Sequence, residues 1–302
     1  MSPARSEIRV KVGTRELTLS NLDKVMYPEV GFTKGQVIDY YTRISPVLLP
    51  HLKGRPLTLK RYPNGVDGPF FYEKNCPDHR PSWVKTQAIW SDSNDRDINY
   101  CLAQDLPTLV WAANLADLEM HTTMALAKTP YKPTMVVFDL DPGAPADIVA
   151  CCSVALLLRE LFDEAGLVAF AKTSGSKGLQ VYVPLNTPAS YDVTTPWSKQ
   201  VAEQLERDHP TLVVSKQKKE LRVGKVLVDW SQNVDSKTTA CVYSLRARSR
   251  PTCSTPVTWD EVAACAAGDL ALGYETDDVL ARVAELGDLF APVLTLKQKL
   301  PR

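Results

Sequence analysis

The stretch Met135-Val136-Val137-Phe138-Asp139-Leu140-Asp141-Pro142-Gly143 decides the reading of this chain: an apolar run that ends in two carboxylates and then turns. Side chains on a strand alternate faces, so Asp139 and Asp141 point one way while Phe138 and Leu140 point the other. Two carboxylates on one rim suit a bound divalent cation. The plainer alternative is an ordinary strand end, because Asp before Pro-Gly is also turn chemistry.

Downstream of this run, residues 147–164 carry helical spacing (Val149, Val154, Leu157, Leu158, Leu161), Gly166 is placed to end the helix, and Val168 to Lys172 reads as a second strand. A strand, a helix and a strand make an α/β unit, in which ligands gather at strand ends. Next stands Thr173-Ser174-Gly175-Ser176-Lys177-Gly178-Leu179-Gln180-Val181-Tyr182-Val183-Pro184-Leu185. Hydroxyls, exposed backbone N–H groups and an ammonium in a tight turn suit phosphate oxygens. The Walker spacing is absent and a strand follows, so a plain hairpin with a solvated lysine is the alternative. A polar helix over 199–208 precedes the densest basic run (Lys216, Lys218, Lys219, Arg222, Lys225), which reads as a solvated loop. It leads into Val226-Leu227-Val228-Asp229-Trp230-Ser231-Gln232-Asn233, a third apolar strand with a terminal carboxylate. A further strand over Val242–Arg248 would set Arg246 and Arg248 on one face, a spacing able to fork phosphates.

Upstream, residues 8–19 read as a hairpin around Gly13. Thr33 with Gln36 has capping-box spacing, so a helix starts there, with Lys34 on its anion-favouring end and Lys24 nearby. Leu57–Tyr62 reads as a strand, followed by a Pro63-Asn64-Gly65 turn and Pro69–Lys74. Phe70, Phe71 and Tyr72 cannot all face one core side; an exposed ring beside Lys60, Arg61 and Lys74 suits base stacking and phosphate contact, with packing across two layers as the alternative. Pro107 to Met124 reads as one buried or amphipathic helix ending near His121, and the tail from Trp259 as ordinary helices.

Composition sets the outer bounds. In 302 residues Lys+Arg and Asp+Glu both number 35, so the net charge is zero, which argues against a generic electrostatic binder of nucleic acid and leaves any polyanion to local clusters. Seven cysteines with no C-x-x-C pair fit neither a disulfide framework nor a zinc ribbon, and Cys76-Pro77-Asp78-His79 is a weak ligand spacing. Reduced thiols imply a cytoplasmic protein. Met1 to Val10 lacks an apolar signal core, and no run approaches the ~20 apolar residues of a membrane span.

Three strand-terminal carboxylates, a Gly/Ser/Lys turn and paired arginines together supply what nucleotidyl transfer needs: ligands for two metals, and cations with backbone donors for a triphosphate. The segments LSNLDKVMYP, KRYPNGVDGPFFYEK, LEMH, VFDLDPG, TSGSKGLQVYVPL, VLVDWSQN and YSLRAR, in this order, resemble the polymerase domain of bacterial ligase D and its stand-alone relatives in the archaeo-eukaryotic primase superfamily. The resemblance covers nearly the whole chain, and no ligase or nuclease region follows, so a free-standing primase-polymerase is expected. It implies an α/β (α+β) primase-type fold of two facing β-sheet layers with flanking helices, the catalytic half similar to an RNA-recognition motif. A single domain over 1–302 is expected: about 1–130 for DNA and 5′-phosphate, 131–250 for metal and nucleotide, and 251–302 as a helical tail.

By the same resemblance Asp139, Asp141 and Asp229 bind Mn2+ or Mg2+ and are catalytic. Ser174, Ser176, Lys177, Gln180, Gln232, Arg246 and His121 meet an incoming NTP or dNTP. Lys24 and Lys34 take the 5′-phosphate of gapped or broken duplex DNA, and Lys60, Arg61, Phe71 and Tyr72 meet the template. The implied activity is template-dependent, ribonucleotide-preferring filling of short gaps or extension of ends in DNA repair, with priming as a further capacity. The implied partners are a separate ATP-dependent DNA ligase and an end-binding protein, with no membrane. One departure stands out. The family's second motif has histidine on the nucleotide phosphate where this chain has Gln180, which donates a hydrogen bond but carries no charge. A haloacid-dehalogenase-type phosphatase expects Thr or Val at the position of Gly143, and an Asp-x-Asp glycosyltransferase has no use for TSGSKGLQVYVPL with VLVDWSQN. A weakly catalytic or non-catalytic end-binding factor is the remaining alternative.

Overall fold

A computed structural model of the protein describes residues 7–301; the first six residues of the Met1–Val10 segment discussed above lie outside that range. The described chain divides into two compact units. One runs to Thr122 and takes in Tyr243–Cys253 and Glu275–Gly287; the other holds Thr123–Val242, Ser254–Tyr274 and the chain from Asp288. The segment expected as a helical tail is thus shared between both.

The first unit opens with the hairpin β1 (Glu7–Val12) and β2 (Arg15–Ser20), where Gly13 turns the chain at a φ of 59°. Short strands β3 (Val25–Tyr27) and β4 (Phe32–Thr33) lead into helix α1 (Lys34–Leu52). Its start is the expected capping box: Thr33 Oγ1 accepts from the Gln36 N–H, and the Gln36 side chain accepts from the Thr33 N–H. Pro46 interrupts the backbone ladder of α1 by removing an N–H. The Thr42 carbonyl left over is met by the Ser45 hydroxyl at 2.8 Å. Strands β5 (Leu57–Arg61), β6 (Phe71–Glu73), β7 (Thr86–Ser91) and β8 (Arg96–Cys101) follow, with β6 and β8 both antiparallel to β5.

The expected helix from Pro107 to Met124 is two elements. Helix α2 (Leu106–Asn114), capped by Asp105, stops where Ala116 takes a φ of 62°, and β9 (Asp117–Thr122) then pairs antiparallel with β5. A left-handed residue cannot continue a right-handed helix. Every residue of β9 is buried, so polar Asp117, Glu119 and His121 alternate with Leu118 and Met120 without a solvent face to reveal the strand. A second correction concerns the cysteines: Cys76 and Cys101 form a disulfide, while Cys151, Cys152, Cys241, Cys253 and Cys265 are buried thiols outside any disulfide.

The second unit is built on a six-stranded sheet. Its strands are β10 (Met135–Pro142), β11 (Phe170–Thr173), β12 (Leu179–Pro184), β13 (Val213–Val214), β14 (Val226–Asp229) and, after the short β15 (Thr239–Ala240), β16 (Pro256–Val257). The order is β13-β14-β10-β12-β11-β16, all antiparallel except β13 with β14. The expected strand-helix-strand unit is therefore split: β12 lies between β10 and β11, which run parallel to each other. Helix α3 (Ile148–Glu164), N-capped by Asp147, packs with α4 (Tyr191–Asp208) and α5 (Trp259–Ala267) on the face that carries Val136, Phe138 and Leu140. Full burial of each such side chain contributes about 1.5–3 kcal/mol, which fixes the register and leaves Asp139 and Asp141 on the opposite face.

The expected strand from Val242 to Arg248 does not form. Tyr243 adopts a φ of 64°, its carbonyl accepts from the Tyr40 hydroxyl at 2.8 Å, and the Leu245 N–H donates to the Tyr41 hydroxyl at 3.1 Å. Two tyrosines of α1 take the backbone groups that a strand neighbour would use. Helix α6 (Thr276–Leu286) completes the first unit. Among the described residues no helix is long and apolar enough to cross a membrane.

Candidate active site

The register of the second sheet places functional side chains in one row. Asp139 on β10 lies opposite Asp229 on β14 and opposite Gln180 on β12, and Gln180 in turn lies opposite Lys172 on β11. Directly opposed residues sit about 4.5–5.5 Å apart at Cβ and share a face, so Asp229, Asp139, Gln180 and Lys172 form a cross-strand line. Each carboxylate is held by an amide: Gln180 Nε2 donates to Asp139 Oδ1 at 3.0 Å, and Gln232 Nε2 to Asp229 Oδ2 at 2.8 Å. Asp229 also accepts at Oδ1 from the Ser231 N–H (2.9 Å) and hydroxyl (2.6 Å). Asn233 continues the clamp, its amide trading two bonds with the backbone of Val137.

Burial raises Asp139 to about 6; the Gln180 hydrogen bond opposes this, and the charges of Asp229 and Asp141 add to it. Half-buried carboxylates that repel one another and present only oxygen donors are the donor set a hard divalent cation fits. Asp141 is exposed and pairs with Arg222, whose Nη2 lies 2.5 Å from Oδ2, so one member of the basic run is not merely solvated. Among the described residues no three His, Cys, Asp or Glu side chains are already gathered at metal-ligand spacing.

The Gly/Ser/Lys turn stands against the end of β10. Ser174 Oγ accepts from the Ser176 and Gly178 N–H groups, and the Ser174 N–H donates to the Gly178 carbonyl, so the turn closes on its own hydroxyl. A side chain on Gly178 would bring Cβ to 2.0 Å from the Leu140 carbonyl oxygen; glycine is what lets the turn lie on the strand between the two carboxylates. Ser176 and Lys177 remain exposed at its tip.

The first unit gathers three predicted residues, Lys60, His121 and Arg246, around one that sequence reasoning missed. Glu119, on β9, has a side chain 2% exposed and accepts from Lys60 Nζ (3.1 Å), Tyr62 Oη (3.3 Å), His121 Nε2 (3.0 Å), Arg246 Nε (3.2 Å) and the Ala247 N–H (3.1 Å). Burial alone would raise Glu119, but the His121 hydrogen bond and the positive charges of Arg246 and Lys60 hold it well below the carboxylate range. Burial pushes His121 below its ordinary value despite that bond. The signal was the alternation Asp117-Leu118-Glu119-Met120-His121, which on a strand sets Glu119 and His121 on one face and on a helix does not.

Phe70, Phe71 and Tyr72 are 51%, 43% and 55% exposed, so all three rings are open. Lys60 Nζ lies 4.6 Å from the Phe70 ring centroid and 5.4 Å from that of Tyr72; Arg61 stacks on Phe71 at 5.0 Å and pairs with Glu73. Lys24 Nζ donates to Asn64 Oδ1 at 3.0 Å. Lys34 is buried, and its Nζ donates to the Ser20 carbonyl at 2.6 Å. Arg248 is exposed. The predicted nucleotide set is thus divided by unit, with Ser174, Ser176, Lys177, Gln180 and Gln232 in the second and His121 and Arg246 in the first.

Paired carboxylates at the centre of the second unit's antiparallel sheet, with an oxygen-rich turn beside them, are the donor set of a nucleotidyltransferase of the polymerase type. Residues 33–290 match the LigD, primase-polymerase domain family, and the chain belongs to it. It is 42% identical over 283 residues to the multifunctional non-homologous end joining DNA repair protein LigD of Mycobacterium tuberculosis, covering 91% of this chain and 36% of that protein. It is 32% identical over 273 residues to the bifunctional non-homologous end joining protein LigD of Bacillus subtilis, covering 90% and 43%. The chain therefore spans about two fifths or less of these relatives. Among solved structures, the polymerase domain from Mycobacterium tuberculosis ligase D in complex with DNA matches with a TM-score of 0.86 and 40% identity, over 93% of this chain and 99% of that one.

Proposed function

We propose that this chain adds nucleotides, ribonucleotides by preference, to the 3′ end of broken or gapped duplex DNA under template direction, and so fills short gaps during end joining. The observation that carries this reading is the row of Asp229 and Asp139 on adjacent strands with the Ser174–Gly178 turn packed on the end of the same strand. Asp139, Asp141 and Asp229 would hold Mn2+ or Mg2+, which when bound supplies activation of the attacking hydroxyl and neutralisation of the departing pyrophosphate. Gln180 and Gln232 fix the carboxylate oxygens from behind. Ser176, Lys177 and the turn's backbone donors bind phosphate oxygens, and in the first unit Arg246 and His121 are the groups offered to a nucleotide. Lys60, Arg61, Phe71 and Tyr72 stack on and neutralise the template strand, in keeping with the exposure of their rings. Lys24 and Lys34 receive the downstream 5′-phosphate. A separate ATP-dependent DNA ligase and an end-binding protein, acting with it at the nucleoid, are the partners this reaction calls for, since filled gaps still need sealing.

The test is incorporation of labelled ribo- and deoxyribonucleotides on gapped, broken and unprimed templates with Mn2+ or Mg2+. Asp139→Ala is expected to abolish extension while still binding 5′-phosphorylated gapped DNA; retained extension would overturn the metal assignment. An end-binding factor would bind the gap and incorporate nothing.

A further inference from the structure

Lys172 is 1% exposed, yet it is a lysine in the middle of a strand, and a buried ammonium persists only where its donors are met. Its Nζ donates to Gln180 Oε1 at 2.6 Å, to Ser254 Oγ at 2.5 Å and to the Ala240 carbonyl at 3.1 Å. The Gln180 oxygen accepts a second bond from the Tyr182 hydroxyl at 3.2 Å, and that hydroxyl is itself fixed by Thr239 Oγ1 at 2.9 Å. An ammonium only donates, so it decides which end of the Gln180 amide faces it. The oxygen turns to Lys172, and the NH2 must turn to Asp139, where it donates to Oδ1 at 3.0 Å. Both ends of Gln180 are committed within the protein, and the register that opposes Lys172 to Gln180 and Gln180 to Asp139 makes the line a property of the sheet.

We infer that Gln180 and Lys172 are positioning residues for the carboxylate that binds the catalytic metal: Lys172 orients the Gln180 amide, and the amide fixes Asp139, so that Gln180 serves the metal ligand and not the nucleotide phosphate. This rests on the proposed metal site. It gives the uncharged Gln180 a role of its own: phosphate contact falls to Ser176, Lys177 and the turn, and the amide takes over the carboxylate. Side chains that hydrogen-bond a metal ligand from behind change metal affinity by roughly 10- to 100-fold when removed.

The experiment uses the full chain and reads Mn2+ binding by the loss of the free-ion electron paramagnetic resonance signal, without nucleotide or DNA, alongside kcat and KM for the nucleotide at saturating Mn2+. Gln180→Leu and Gln180→Asn, which remove the amide or shorten its reach, are expected to weaken Mn2+ binding about tenfold or more while KM for the nucleotide stays within about threefold of wild type. Lys172→Met is expected to weaken Mn2+ binding alone and to change it less than about twofold in the Gln180→Leu background, because the lysine acts through the amide. Should Lys172→Met fail to fold, the two Gln180 variants carry the test.

A raised nucleotide KM with unchanged Mn2+ affinity in Gln180→Leu would make Gln180 a phosphate contact and overturn the inference. So would tighter Mn2+ binding in Lys172→Met, which would mean the lysine acts by charge alone. Should wild type bind Mn2+ no better than Asp139→Ala, the metal site itself fails and the inference with it; binding by wild type that the Gln180 variants retain in full removes only the inference.

Discussion

Glu119 holds two cationic side chains, an imidazole, a phenol and a backbone amide on one buried carboxylate, so its removal has a calculable cost. Lys60, His121 and Arg246 expose 12%, 10% and 17% of their side chains, which places the cluster well inside the screened surface. Breaking such a buried pair from one side costs about 3–5 kcal/mol, because the partners keep their charge and lose their acceptor. Against a folding stability of about 5–15 kcal/mol, Glu119→Ala removes a large share. Glu119→Gln is the sharper probe: it preserves shape but offers one acceptor oxygen and no charge, exchanging bonds worth about 1.5–3 kcal/mol each for neutral ones near 1. A loss of about 2–3 kcal/mol is expected at neutral pH. Because Glu119 is held below the ordinary carboxylate range in the folded state, its contribution is complete above the unfolded value and fades as pH falls through the folded one. The gap between wild type and Glu119→Gln in urea unfolding, followed by tryptophan fluorescence, is therefore expected to narrow below about pH 4. Extension on gapped DNA should fall about tenfold or more, since Lys60 and Arg246 lose their common anchor. A Glu119→Gln variant within about 0.5 kcal/mol of wild type at pH 7.5, or a gap that does not change with pH, would refute the reasoning.

Other contacts set further outcomes. Lys24→Ala is expected to weaken binding to gapped DNA only when the downstream 5′-phosphate is present. Lys34→Ala should in addition lower stability by about 1–3 kcal/mol, because the Ser20 carbonyl loses its buried donor; equal loss of binding with and without the phosphate rejects the pocket. Gly178→Ala places Cβ 2.0 Å from the Leu140 carbonyl oxygen, and is expected to destabilise by several kcal/mol and to displace the Ser174 turn, seen as a lower Tm and a higher KM for the nucleotide. The Cys76–Cys101 bridge closes a sequence separation of 25, so Cys101→Ser or reduction should lower stability by about 2–4 kcal/mol, with one disulfide detected by mass spectrometry after thiol alkylation; complete alkylation of all seven cysteines in the unreduced chain would exclude it.

Strands β10, β11, β12 and β14 of the second unit were legible because they are short, apolar and bounded by turn residues, with Asp139, Asp141 and Asp229 toward the ends of β10 and β14. The α1 capping box was legible for a similar reason: Thr33 and Gln36 act over three residues, and no distant contact competes. The hairpin of β11 and β12 and the helix capped by Asp147 also follow from local chemistry. What was hidden depends on long-range contacts. The Val242–Arg248 segment has the alternation of a strand, but Tyr40 and Tyr41, some 200 residues away in sequence, occupy its backbone groups. The disulfide joins cysteines whose sequence neighbourhoods carry no pairing motif; β6 and β8, both laid on β5, carry the chain segments that bring them together.

The two central strands make the difference plain. In β10, Asp139 and Asp141 alternate with Phe138 and Leu140; in β9, Asp117, Glu119 and His121 alternate with Leu118 and Met120. The period is the same, but β10 is preceded by Val136 and Val137, whose branched side chains favour a strand, while β9 follows the Ala- and Leu-rich α2, whose helical pattern runs into it. On a helix Glu119 and His121 would lie on different faces. Reading β9 as strand joins them, and the charge that Lys60 and Arg246 bring then has an evident partner. A polar row on a fully buried strand has no solvent to face, so each of its charges must be answered from within. In this chain Glu119 answers the cations of the first unit, and Lys172, through Gln180, reaches the carboxylate of Asp139 in the second.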